Sequence, residues 1–125
     1  MSILDALNPA QRRAAETING PLLVLAGAGS GKTRVLTYRI ASLVNEIGIA
    51  PWKVLAVTFT NKAAGEMRER VQTLVGDLAS DIWIGTFHSI CVRLLRYEAV
   101  GFGLDSNFSI YDEDDRRAVI RRVFK

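Results

Sequence analysis

The residues best suited to chemistry lie in one run, Ala26-Gly27-Ala28-Gly29-Ser30-Gly31-Lys32-Thr33. Glycine at this density lets backbone amides crowd round an anion, because no side chain fills the concavity. Lysine adds a mobile positive charge, and threonine adds a hydroxyl that suits magnesium. Together these types in this order predict a nucleoside triphosphate, with Lys32 on its β and γ phosphates and Thr33 on the metal ion. The run departs from the general G-x-x-x-x-G-K-[ST] pattern in one place, since Ala26 stands where the first glycine is usual. The plain alternative is an ordinary glycine-rich turn, and the flanking segments argue against it.

Such a loop works only if one element delivers it and another leaves it. Pro21-Leu22-Leu23-Val24-Leu25 is a short apolar run bounded by turn residues, which predicts a strand. Beyond the loop, Leu36, Ile40, Leu43, Val44 and Ile47 recur at helical spacing. The start of that helix adds its positive dipole end to the amides. An earlier helix opens at Asn8 as N-cap with Pro9 in the first position, and runs to Ile18 before Asn19-Gly20 stops it. Gln11 falls three residues after the cap, where it suits a capping box; its amide could equally read an adenine edge. The residues alone favour the cap.

Two further junctions should open on the same rim. Val54-Leu55-Ala56-Val57 predicts a strand that leads through Thr58-Phe59-Thr60-Asn61-Lys62 into a helix with Ala64, Met67, Val71, Leu74 and Val75 on one face. Ile82-Trp83-Ile84 predicts another, which ends in Gly85-Thr86-Phe87-His88-Ser89 and a helix through Ile90, Leu94 and Leu95. A fourth strand is expected over Phe108 to Tyr111. Strands alternating with helices imply right-handed crossovers, a parallel sheet with flanking helices and a three-layer α/β/α domain whose ligands sit at the strands' carboxyl ends. Hydroxyls, an amide, a lysine, a histidine and two phenylalanines at these ends suit a single-stranded nucleic acid, held by backbone contacts and base stacking. Taken singly, Phe59 and Phe87 are more often core residues, and His88 more often a structural one.

The chain has 125 residues, 49% of them hydrophobic, which suits one folded domain. Its +3 charge is compatible with nucleic acid without demanding it. A single cysteine excludes an internal disulfide, and no run is long enough to span a membrane, so a cytoplasmic protein is expected. Asp112-Glu113-Asp114-Asp115 has the look of a metal-binding acidic box. The bases that follow it, Arg116, Arg117, Arg121, Arg122 and Lys125, instead predict a helix with acids at its start and bases at its end. With those acids structural, the parts needed for phosphoryl transfer are incomplete, and the chain reaches Lys125 in mid-helix. It is therefore expected to be a fragment of a longer protein.

Leu7-Asn8-Pro9-Ala10-Gln11, Ala26 to Thr33, Thr58 to Ala64 and Gly85 to Ser89, in this order and spacing, resemble the start of a UvrD/Rep/PcrA-type superfamily 1 DNA helicase. In that family the first motif usually begins with alanine, so Ala26 becomes a point of agreement. The resemblance implies the N-terminal part of the first RecA-like P-loop motor domain, from an ATP-driven translocase moving 3′ to 5′ on single-stranded DNA and unwinding duplex. It implies ATP and Mg2+ as cofactors, and single-stranded and 3′-tailed duplex DNA as partners. Gln11 would read adenine, Gly29, Gly31, Lys32 and Thr33 would bind ATP, and Arg34 would lie beside the base. Thr58, Phe59, Thr60 and Asn61 would grip DNA, as would Thr86, Phe87 and His88. The segment from Phe108 to Lys125 resembles an exit towards an inserted helical domain. Other readings are a free-standing, non-catalytic nucleotide-binding module and a small-molecule kinase. Truncation should also leave sheet edge exposed, through which copies of the chain could associate.

Overall fold

Between Ile90 and Cys91 the chain divides into two units, seen in a computed structural model that describes residues 1–124. In the first, a single-turn 3-10 helix, Ile3–Ala6, leads into α1, Pro9–Glu16. Asn8 caps α1 as its sequence predicts, with Oδ1 accepting from the Gln11 amide at 2.9 Å, although the helix stops two residues short of Ile18. The helix after the glycine loop is α2, Lys32–Asn45, which ends before Ile47.

The sheet is smaller than expected. It consists of β1, Leu55–Thr58, and β2, Trp83–Thr86, paired in parallel with Leu55 opposite Trp83 and Thr58 opposite Thr86. Both strands run further towards the rim than the apolar runs suggested. Between them lies α3, Asn61–Val75, capped by the Thr60 hydroxyl, which accepts from the Ala63 amide. Ile40, Ala41 and Val44 of α2 and Met67, Val71 and Val75 of α3 close over Val54, Ile82 and Ile84 to form the core. This covers one face of the sheet; on the other, Leu55 is exposed, and the first unit shows two layers where three were expected.

Two expected strands do not form. Leu22–Leu25 lies largely in solvent, with Leu23 82% and Leu25 86% exposed, and it joins no ladder. A strand exists only by hydrogen-bonding to another strand, and among the described residues none pairs with this run. Phe108–Tyr111 is likewise irregular.

The second unit holds the later part of α4, Phe87–Glu98, then a 3-10 turn over Ala99–Phe102 and finally α5, Glu113–Val123. Asp112 caps α5, with Oδ1 accepting from the Asp114 and Asp115 amides at 2.9 Å each. Glu113 pairs with Arg116 at 2.6 Å. The acids thus begin a helix, as the charge order predicted. Lys125, the last residue of the expected exit segment, lies outside the described residues.

Candidate nucleotide and nucleic-acid site

The glycine loop enters α2 through Gly31, whose φ of 80° places it in the left-handed region that favours glycine. Because α2 has no side-chain cap, the amides of Gly31, Lys32 and Thr33 meet no acceptor among the described residues. Such donors at a helix start form an anion site. The Lys32 ammonium bends back over the loop and donates to the Ala26 and Gly27 carbonyls at 2.9 and 2.8 Å. Ser30 Oγ donates to the Gly27 carbonyl at 2.6 Å, closing the turn. Among the described residues no hydrogen bond engages the half-buried Thr33 hydroxyl, which could meet a metal ion carried by a nucleotide. The loop therefore suits a polyphosphate.

A recess of about 300 Å³ adjoins it, lined by Gln11, Ala14, Val24, Ala26, Lys32 and Val35 among others. Its apolar wall and the carboxamides of Asn8 and Gln11 suit a planar base. Gln11 is the cap the sequence favoured, with Oε1 accepting from the Asn8 amide at 3.1 Å, but it does more: Nε2 donates to the Ser30 carbonyl at 3.0 Å. Arg34 donates to the Ala6 carbonyl at 2.8 Å, and its guanidinium sits 5.2 Å from the centre of the Tyr38 ring. Tyr38 was missed from sequence, although an arginine and a tyrosine four apart on a helix are a recognisable pair.

The other two junctions meet each other. Phe59, at the end of β1, and Phe87, at the end of β2, have ring centres 5.5 Å apart. With Asn61, Thr86 and His88 they line a recess of about 300 Å³. Neither phenylalanine is a core residue, contrary to the usual expectation: Phe59 is 90% exposed and Phe87 55%. The Thr58 and Thr60 hydroxyls work internally, Thr58 donating to the Thr60 carbonyl and Thr60 capping α3, and the exposed Lys62 lies outside the recess. Sequence named Ser89 as the end of the junction after β2 but gave it no role. Its Oγ accepts from the Thr86 amide at 2.9 Å while Thr86 Oγ1 accepts from the Ser89 amide at 3.2 Å, a reciprocal cap that starts α4 without an intervening loop.

The two recesses share one end of the unit. A short connection turns the chain from the end of α2 at Asn45 into β1 at Leu55, and Leu36 to Leu43 face Val54 to Val57 across a narrow groove. Hence α2 runs back along β1, and the glycine loop before it lies at the rim where β1 and β2 end.

The UvrD/REP helicase N-terminal domain family matches residues 7–125. The chain belongs to that family. This UvrD/REP-type chain is 57% identical over 123 residues to the ATP-dependent DNA helicase PcrA of Bacillus subtilis, covering 98% of the chain and 17% of the relative. It is 56% identical to the PcrA of Staphylococcus aureus, covering 99% of the chain and again 17% of the relative. The UvrD/REP-type chain thus spans 17% of the length of the curated relatives it matches. Among its described residues no helix is long and apolar enough to cross a membrane.

Proposed function

We propose that the complete protein carrying this chain is an ATP-dependent DNA helicase that moves 3′ to 5′ along single-stranded DNA from a 3′-tailed duplex. The observation that carries this reading is the shared rim, with the Lys32 loop and the Phe59–Phe87 recess at one end of a UvrD/REP-type unit. Its relatives at 56 to 57% identity bear the name ATP-dependent DNA helicase.

In this reading the loop amides from Gly27 to Thr33 and the Lys32 ammonium hold the phosphates, Thr33 holds Mg2+ through the nucleotide, and Gln11 and Arg34 flank the adenine. The magnesium ion neutralises charge on the phosphates. Phe59, Phe87 and His88, with Asn61 and Thr86, hold the unpaired strand, and Thr58 and Thr60 shape its turn. Lys62 supplies a cation at the margin. The protein acts in the cytoplasm. Taken alone, the chain turns over no ATP, and the free edges of its two-stranded sheet are where copies of it would associate.

Steady-state ATP hydrolysis by the complete protein, with and without single-stranded DNA, tests the proposal. DNA is expected to raise the rate, and Lys32→Ala to lower it by about 100-fold or more, the scale of losing one well-placed charge donor. A rate indifferent to DNA, or untouched by Lys32→Ala, would refute it.

A further inference from the structure

Gln11 does a job that base recognition does not account for. Its Oε1 is held by the Asn8 amide at 3.1 Å, which leaves Nε2 to donate to the Ser30 carbonyl at 3.0 Å. The helix cap therefore fixes one end of the carboxamide and aims the other at the phosphate loop. The contact is close. A Cβ added at Gly31 would come within 2.6 Å of Gln11 Nε2, the movable end of that side chain, while the φ of 80° at Gly31 is what favours glycine there.

Among the described residues no peptide bond is cis, so the Ser30–Gly31 peptide is trans and planar, and its carbonyl and N–H point to opposite sides. Tying the Ser30 carbonyl to Gln11 turns the Gly31 N–H away from α1. That N–H is one of the donors that meet no acceptor among the described residues. We infer that Gln11 is a positioning residue for the phosphate loop, setting the Ser30–Gly31 peptide so that the Gly31 N–H faces the triphosphate whatever base the nucleotide carries. The inference rests on the phosphate-loop reading above.

A ligand without a base separates the two roles. In the complete protein, calorimetric titration with magnesium tripolyphosphate gives Kd for the phosphates alone, and titration with ATP gives Kd for phosphates plus base. Gln11→Met and Gln11→Ala both remove the donor, and Met keeps the length of the side chain. Each is expected to weaken tripolyphosphate binding roughly three- to tenfold, the scale of one hydrogen bond, and ATP binding by more. Arg12→Ala, which breaks the α1 ion pairs with Asp5 and Glu16 but leaves the loop alone, is expected to change neither value. An unchanged tripolyphosphate Kd beside a weakened ATP Kd would make Gln11 a base reader only and overturn the inference. An equal loss in Arg12→Ala would assign the effect to the helix and overturn it too. Tripolyphosphate binding that survives Lys32→Ala would instead place the fault in the phosphate-loop reading itself.

Discussion

Phe59 keeps 90% of its surface in water, touching Phe87 at a ring separation of 5.5 Å. Apolar surface left in solvent is unfavourable, and a ring in that position suits a ligand that covers it. Phe59→Ala is expected to weaken single-stranded DNA binding by about 1–3 kcal/mol in fluorescence anisotropy, the range for one stacked base, while ATP binding without DNA stays as in the parent. The residues alone left the exposure of these rings open, since an aromatic residue between a strand and a helix is more often core, and the resemblance favoured the exposed reading. The turn of the glycine run into α2 was legible residue by residue, because Gly29 and Gly31 take the positive φ that glycine favours. Gln11 was half legible. Its cap follows from local spacing, but its bond to Ser30 joins residues 19 apart.

At the scale of elements, the junction of β2 and α4 leaves no room for a side chain at Gly85. A Cβ there would lie 2.5 Å from Ser89 Oγ and 3.2 Å from Ile90 Cδ1. Gly85→Ala is therefore expected to force apart the Thr86–Ser89 cap and cost about 1–3 kcal/mol, measured by urea denaturation, with the Phe59–Phe87 recess distorted as well. Helices were read well from sequence because each contains its own hydrogen bonds: Asn8, Thr60 and Asp112 mark the starts of α1, α3 and α5. Strands were read less well. The apolar runs at Val54–Val57 and Ile82–Ile84 found β1 and β2, shifted by one or two residues, whereas Leu22–Leu25 has the same pattern and no ladder. Pattern identifies a segment fit for a sheet; the partner is a property of other parts of the chain. For α5 the decisive signal was the order of charges, which outweighed the likeness of its acids to a metal box.

At the scale of the whole molecule, the first unit is fastened at its beginning by Glu46. The carboxylate accepts from the Ile3 amide at 2.7 Å, from Ser42 Oγ at 2.8 Å and from Ser2 Oγ at 3.2 Å, tying the N-terminal turn to the end of α2. These bonds, the Ile3 amide first, hold its pKa below the ordinary glutamate value. A carboxylate with a lowered folded pKa stabilises the fold above the ordinary value and loses that contribution as pH falls through the lowered one. The melting-temperature advantage of the parent over Glu46→Gln is thus expected at neutral pH and to shrink below about pH 4. No sequence pattern foretold this fastening, since Ser2 and Glu46 lie 44 residues apart. A different consequence follows from the ammonium of Lys32, which already rests on the carbonyls of Ala26 and Gly27. An anion that recruits this cation must first break both bonds, so capture by Lys32 is an exchange of partners, and its net gain is the difference between two sets of hydrogen bonds.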